Sequence, residues 1–282
     1  MHLRKRMFDV KIKKISSPYI VWMCIFVVVP LALVFYFAFT KSSGGFTFEN
    51  IFSVGEYSEI FLRSIWLGAI ATLICLILGY PVAYIISRFS QIKQKNLILL
   101  LMLPMWMNFL LRTYAWMTLL ENNGLINKFL GFFGLGPFPL INTQGAVVVG
   151  MVYNFLPYMI LPIYSVVQKL PAHAIEAAQD LGANNINVFL KVILPLSLSG
   201  IISGITMVFV PAVSTFVISK MLGGGANLLI GDLIEMKFLG NSYNPHLGSA
   251  LSLVLMILIL ICMGIMNQFD DRLDRQPITP TE

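Results

Sequence analysis

The chain has 282 residues, of which 57% are hydrophobic and only 11% are charged, and its mean hydropathy is +0.82. Soluble domains carry about 25% charged residues, so this composition argues against a soluble globular enzyme, a disordered protein and a coiled coil. The apolar runs are long and continuous, which argues against an outer-membrane β-barrel and predicts an all-α, polytopic membrane protein.

The first elements in chain order are a basic N-terminal tail and a long apolar stretch. Six Lys and Arg residues fall within the first fourteen positions, and the net charge of the whole chain is +6. No aromatic stacking platform is interleaved with these basic residues. They therefore predict a membrane-proximal cytoplasmic tail over residues 1–18 rather than a nucleic-acid site.

Six stretches are long and apolar enough to cross a bilayer core of about 30 Å as helices. They cover residues 19–39, 64–88, 97–120, 145–168, 192–219 and 248–269. A polar segment separates the first stretch from the second. We therefore expect a peripheral helix over 19–39, a five-helix core within 60–269, and a polar cytoplasmic tail over 270–282.

The distribution of basic residues predicts the orientation of these spans. With the N-terminus inside, thirteen Lys and Arg residues fall on cytoplasmic segments and five on outer segments, while Arg112 lies within a span. Cytoplasmic loops are enriched in basic residues. The bias therefore predicts that both termini are cytoplasmic, which agrees with an even number of spans.

The cytoplasmic stretch between the fourth and fifth spans predicts two short helices. Pro171 suits the first turn of a helix, and Gly182 suits a left-handed residue just after its end. Asn184 or Asn185 can cap a second helix that leads toward the membrane. A first helix over 171–181 is therefore expected. Its apolar face would comprise Leu170, Ala174, Ala178 and Leu181.

The same stretch carries a recognisable motif. Glu176-Ala177-Ala178, then Gly182, then Leu194-Pro195 resembles the EAA motif of bacterial ABC importer permeases, with Val192 at the intervening hydrophobic position. In that family, the motif lies in a coupling helix that inserts into a cleft of a cytoplasmic ATPase. The resemblance implies an ATPase-coupling set formed by Pro171, Glu176, Ala177, Ala178, Gly182, Leu194 and Pro195.

Further segments resemble the spermidine/putrescine branch of these permeases. They are LGYPVAYIIS at 78–87, LPMWMNFLLRTYAW at 103–116, YNFLPYMILPIYS at 153–165 and GGGANLLIGDLI at 223–234. The sequence has no metal-ligand spacing, no phosphate-binding glycine loop and no nucleophile constellation, so no catalytic residues and no metal are expected. The resemblance implies a subunit of the bacterial plasma membrane. Its implied partners are a second homologous permease, two copies of an ATP-binding subunit that binds ATP and Mg²⁺, and an extracytoplasmic substrate-binding protein.

A pathway through the spans needs inward-facing polar or aromatic groups. No Asp or Glu lies deep within the six spans, so aromatic faces are the available cation-binding groups. The candidate pathway residues are Trp106, Asn108, Tyr153, Asn154, Tyr158 and Phe216. Hydrogen bonds between helices, interfacial anchoring and core packing are the alternative roles for such residues.

Arg112 is a basic residue well inside a span and must face protein or water. It follows Asn108 by one turn, and Pro104 is expected one turn earlier on the same face. A cationic substrate would be repelled by its charge. A structural role, directed toward backbone carbonyls or Glu121, is therefore the preferred prediction.

The long outer loop between the last two spans offers a candidate gate. A glycine turn at 223–225 precedes a predicted short helix over 228–239. Lys220 is predicted to pair with Asp232 or Glu235 and to help close the outer mouth. A solvated pair worth less than about 1 kcal/mol is the alternative.

Other functions stay open at this stage. An importer for another small solute, such as iron or sulfate, would share the same architecture. An ion-coupled secondary transporter would require buried carboxylates and often internal repeats, and neither is evident. A membrane-embedded assembly or sensor protein would not require the EAA loop.

Overall fold

The computed structural model describes residues 18–41, 43–225, 227–240 and 242–274, with side chains for all of these except Ala172 and 269–274. Most of the predicted basic tail and residues 275–282 of the predicted polar tail lie outside the described residues. The described part is helical, with an isolated β-bridge between Thr40 and Phe46.

The helices follow the apolar runs of the sequence and are numbered in chain order. Their bounds are Pro18–Ala38 for α1, Glu49–Ser53 for α2, Ser58–Ser87 for α3, Gln91–Trp106 for α4, Phe109–Leu120 for α5, Leu125–Phe132 for α6, Gln144–Val167 for α7, Ala172–Asp180 for α8, Asn185–Leu196 for α9, Leu198–Ser214 for α10, Val217–Leu222 for α11, Ile230–Leu239 for α12 and Pro245–Asp274 for α13.

Four helices in the described part are each long and apolar enough to cross a membrane. They are α1, the run Glu49–Ser87 that contains α3, α7, and Pro245–Gln268 within α13. Two further spans result if each of two bent helix pairs is counted as one. The prediction of an all-α polytopic protein is therefore confirmed, with four to six spans.

The third predicted span, 97–120, is not one straight helix. The helical path bends by 85° between Gln91–Trp106 and Phe109–Phe132. The Asn108 side chain caps α5 by accepting a hydrogen bond of 2.8 Å from the Leu110 N–H, and a capping residue has non-helical backbone angles. The predicted common face of Pro104 and Asn108 is therefore wrong, because Pro104 belongs to the preceding helix.

The fifth predicted span, 192–219, is interrupted twice. The helical path bends by 65° between α9 and α10, and Ser197 lies at this bend. Beyond α10, Thr215 is extended, with φ −65° and ψ 144°, before α11 begins. Pro195 contributes to the first interruption because it has no backbone N–H to donate.

The chain divides into two compact units. The first consists of the described residues of Met1–Tyr57 and Ile234–Met256. Helix α1 is apolar and almost entirely exposed within it, as expected for a helix surrounded by lipid. An ion pair of 2.6 Å between Lys41 Nζ and Glu49 Oε2 lies just beyond the end of α1.

The second unit consists of Ser58–Leu233 and the described residues of Ile257–Glu282. Its centre is formed by α3, α7 and α10, which pack against one another. Glycines permit close approach: a Cβ at Gly200 would lie 3.0 Å from the Pro162 carbonyl oxygen, and one at Gly204 would lie 2.8 Å from Met159 Sδ. Small residues of this kind are typical of helix contacts within membranes.

Candidate functional site

The segment that carries the EAA motif begins with a short helix, as predicted. We call residues 171–195 the EAA segment. Helix α8 runs from Ala172 to Asp180, so each end lies one residue inside the predicted bounds. Pro171 is the residue before the first turn, with φ −68° and ψ 125°. This geometry suits proline, whose ring fixes φ and whose nitrogen has no hydrogen to donate.

The end of α8 explains the spacing between the motif alanines and glycine. Gly182 has a φ of +83°, and its N–H donates to the Gln179 carbonyl at 2.9 Å. The Ala183 N–H donates to the Ala178 carbonyl at 3.0 Å. These are the paired hydrogen bonds of a Schellman motif, in which glycine takes the left-handed position after the helix. The predicted left-handed end at Gly182 is thus confirmed.

The second helix of the EAA segment is capped by the first of the two candidate asparagines. Asn184 Oδ1 accepts a hydrogen bond of 2.8 Å from the Asn187 N–H. Helix α9 then contains a π-helical turn over Phe189–Ile193 before reaching Pro195. Such turns are rare in α-helices and frequent at functional sites.

The EAA segment presents much of its surface outward. Glu176 and Ala177 are exposed, whereas Ala174 and Ala178 are half-buried. Leu181 is 89% exposed, and its N–H still donates to the Ala177 carbonyl at 3.1 Å. Its place on one apolar face with Ala174 and Ala178 stays a prediction.

The bend after the motif Leu194-Pro195 is tied to the core by hydroxyl groups. The Ser197 hydroxyl donates to the Leu194 carbonyl at 3.0 Å, and the Tyr80 hydroxyl lies 2.7 Å from Ser197 Oγ. Both side chains are buried, with exposed fractions of 6% for Tyr80 and 0% for Ser197. Sequence reasoning missed this pair, because no local pattern connects residues 117 positions apart.

The candidate pathway residues differ in exposure. Trp106 is 71% exposed, while Tyr153, Tyr158 and Phe216 are each about 40% exposed. The Tyr153 ring meets the Trp116 ring edge-on, with centroids 5.4 Å apart. Two candidates with exposed rings, Tyr153 and Tyr158, thus lie on α7, while Trp106 ends α4 and Phe216 precedes α11. The role of these residues in a pathway stays a prediction.

The two candidate asparagines have different surroundings. Asn108 is exposed and caps α5, as described above. Asn154 is only 2% exposed, and its Nδ2 donates to the Gly150 carbonyl of its own helix at 2.9 Å. Its Oδ1 has no hydrogen-bond partner among the described residues. Asn154 is therefore a core residue of α7 in this structure, whereas Tyr158, four residues later in the same helix, is exposed.

Arg112 is buried, with 8% of its surface exposed. Its Cζ lies 5.9 Å from the centre of the Phe109 ring, one turn earlier in α5. Its Nε has no hydrogen-bond partner among the described residues. An aromatic face therefore lies beside Arg112, a contact that the sequence reasoning did not name. The predicted contact with backbone carbonyls or Glu121 stays a prediction.

The predicted gate residues lie in the two helices that follow the extended residue Thr215. Lys220 is in α11, and Asp232 and Glu235 are in α12, which begins two residues later than predicted. Asp232 is 2% exposed, and its Oδ2 accepts a hydrogen bond of 2.8 Å from the Leu229 N–H. A carboxylate at the third helical position satisfies the first orphan N–H of a helix in this way. The pairing of Lys220 stays a prediction.

The start of α12 is also held by a serine that sequence reasoning did not single out. Ser64 Oγ, on α3, accepts a hydrogen bond of 2.8 Å from the Ile230 N–H. The predicted glycine turn before α12 contains two left-handed residues, with φ values of 63° at Gly224 and 74° at Gly225. The outer loop is therefore anchored by specific contacts.

Comparison with known proteins places this architecture in a family. Residues 96–275 match the family described as "Binding-protein-dependent transport system inner membrane component". The spermidine/putrescine transport system permease protein PotB of Haemophilus influenzae is 37% identical over 265 residues, covering 90% of this chain and 92% of that protein. PotB of Escherichia coli K12 is 35% identical over 255 residues, covering 87% and 91%.

A solved structure shares the fold at much lower sequence identity. It is the crystal structure of a bacterial ABC transporter involved in the import of the acidic polysaccharide alginate, with a TM-score of 0.81 and 16% identity. The match covers 99% of this chain and 100% of that chain. From the family match and these relatives together, the chain belongs to the inner membrane components of binding-protein-dependent transport systems.

Proposed function

We propose that the chain is one of two homologous permease subunits of an ATP-driven polyamine importer, and that it forms half of the translocation pathway. The observation that carries this proposal is the 35–37% identity to the PotB permeases over about nine tenths of the chain. Both termini lie on the cytoplasmic side, as the bias of basic residues favours.

The EAA segment is the docking site for a separate ATPase. Its first helix is short and exposes Glu176 and Ala177, and the neighbouring Leu181 and Ile186 are 89% and 67% exposed. Apolar side chains exposed on a polar loop indicate an interaction surface. Two copies of the ATPase, one on each permease, bind and hydrolyse ATP with Mg²⁺, and this chain carries out no bond chemistry.

Substitution of Glu176 tests this docking. Glu176→Lys reverses an exposed charge on α8 without removing a packing contact, so we expect loss of the ATPase when the complex is purified through this chain. Glu121→Lys is the matched control, because Glu121 is also exposed but follows α5. Equal recovery of the ATPase with both variants would contradict the docking site.

ATP-driven closure of the ATPases moves the EAA segment, and the spans rearrange to open the opposite face. The pathway forms against the second permease. The exposed rings of Trp106, Tyr153 and Tyr158 support this arrangement, since aromatic faces attract cations at about 0.5–2 kcal/mol per contact. Such weak contacts suit passage, and an extracytoplasmic binding protein supplies the affinity for the substrate.

The substrate class is tested with the assembled complex and its binding protein in lipid vesicles. Spermidine and putrescine should each stimulate ATP hydrolysis, because the binding protein delivers them to the permeases. Sulfate and ferric iron are the comparison solutes. Stimulation by either comparison solute, with none by the polyamines, would reject the polyamine assignment while leaving the family membership intact.

A further inference from the structure

The bend between the EAA segment and the core is held by a buried chain of hydroxyl groups. Ser197 lies between α9 and α10, where the helical path bends by 65°. Because the Ser197 hydroxyl donates to the Leu194 carbonyl, the Tyr80 hydroxyl is the donor in its 2.7 Å contact with Ser197 Oγ. One hydroxyl chain thus connects α3 with the motif leucine.

The ring of Tyr80 also supports the π-helical turn that precedes the bend. Its centroid lies 5.4 Å from that of Phe189, the first residue of the turn, with the rings nearly perpendicular. Tyr84, one turn further along α3, meets the same ring at 5.9 Å. The hydroxyl of Tyr84 instead accepts a hydrogen bond of 3.0 Å from Arg88 Nη2.

Backbone hydrogen bonding is weakened at the bend. Pro195 cannot donate a hydrogen bond, and the Ser197 N–H is shared between the carbonyls of Ile193 and Leu194, at 3.0 and 3.2 Å. A bend with weakened backbone hydrogen bonding depends on side-chain contacts to keep its angle. Tyr80 and Ser197 provide that contact from a buried site.

We propose that Tyr80 is a positioning residue that fixes the angle between α9 and α10 through Ser197. A displacement of the EAA segment is thereby passed to the core helix α10 rather than absorbed as bending. This inference rests on the proposed function, in which the EAA segment receives motion from the ATPase. Tyr80 contacts neither the ATPase nor the substrate in this role.

The test uses Tyr80→Phe, which removes the hydroxyl and keeps the ring against Phe189. Tyr84→Phe is the matched control, because it removes a hydroxyl from the other ring that meets Phe189. Amide hydrogen exchange of α9 is measured in the purified complex without substrate. The net free energy of one hydrogen bond corresponds to about a two- to tenfold change in an opening equilibrium. Exchange in α9 should therefore accelerate by that factor in Tyr80→Phe and not in Tyr84→Phe.

Transport then supplies a readout that a purely structural role would leave unchanged. In lipid vesicles, Tyr80→Phe should raise the ATP hydrolysed per polyamine taken up, with the KM for uptake unaltered. Ser197→Ala removes the contact with Tyr80 and also its own hydrogen bond to the Leu194 carbonyl, so its effect should be at least as large. The double variant should be no worse than Ser197→Ala alone, because Tyr80→Phe then has no further bond to remove.

Unchanged exchange in α9 of Tyr80→Phe, or equal acceleration in Tyr84→Phe, would overturn the positioning role whatever the substrate is. Additive effects of Tyr80→Phe and Ser197→Ala would also overturn it. If the wild-type complex fails to respond to polyamines, the proposed substrate is wrong, and the exchange measurement still decides the role of Tyr80.

Discussion

Gly182 provides a quantitative test of how the EAA segment is built. Its φ of +83° is left-handed, and a Cβ added there would meet nothing within 4 Å. The cost of Gly182→Ala therefore comes from the backbone conformation alone, at roughly 1–2 kcal/mol for an L-residue in this region. That free energy corresponds to about a 5–30-fold shift in the local opening equilibrium at the end of α8.

The assay is amide hydrogen exchange at Ala183, whose N–H closes the Schellman motif. Exchange there should accelerate by about 5–30-fold in Gly182→Ala, and by less in Gly182→Asn, since asparagine tolerates left-handed angles better. Gly131→Ala is the control, because it also meets nothing within 4 Å but has no left-handed φ. An unchanged rate at Ala183 in Gly182→Ala would refute the explanation of the motif spacing.

Two further predictions concern packing in the second unit. Gly200→Ala should lower the thermal unfolding midpoint of the purified protein, because its Cβ would press on the backbone at Pro162 and cost about 1–3 kcal/mol. Gly264→Ala, where the Cβ meets nothing within 4 Å, should leave the midpoint nearly unchanged, and equal losses would contradict the close-packing argument. Ser64→Ala should destabilise by about 1–3 kcal/mol by leaving the Ile230 N–H buried without its acceptor. Unchanged exchange at the Ile230 amide would show that this hydrogen bond is dispensable.

Local signals in the sequence were enough to predict the short helices. Proline before a helix, glycine after it and asparagine at a cap each act within four residues, and the structure has all three at Pro171, Gly182 and Asn184. The glycine turn at 223–225 and the short helix after it were likewise predicted from local signals. These features depend on backbone conformation and on capping, which residue type largely determines.

The breaks within two apolar spans could not be found from hydropathy. A window of about 20 residues reports composition, and a single capping asparagine or a bend at serine barely changes its mean. Asn108 did carry a usable signal, because asparagine is a preferred cap, but its apolar surroundings favoured an uninterrupted span. At the bend, Ser197 contacts the Tyr80 hydroxyl, and a tertiary contact of this kind leaves no periodicity in the sequence.

The candidate pathway residues were selected by residue type, and their burial could not be predicted from the sequence. Asn154 and Tyr158 share a helical spacing of four, yet the first is buried and the second exposed. Residues four apart lie on nearly the same side of a helix, so this side of α7 is covered at the level of Asn154 and open at the level of Tyr158. The spacing of residues on one helix cannot specify at which level its neighbours cover it.

In the proposed function, this chain conducts polyamines under the control of an ATPase docked at the EAA segment. Uptake of labelled spermidine, with putrescine as competitor, is the decisive test in cells that have no redundant polyamine transporter. We expect saturable uptake to be lost when the chain is deleted, to be restored by the wild type, and not to be restored by Glu176→Lys. Unchanged uptake after deletion, or full restoration by Glu176→Lys, would contradict it.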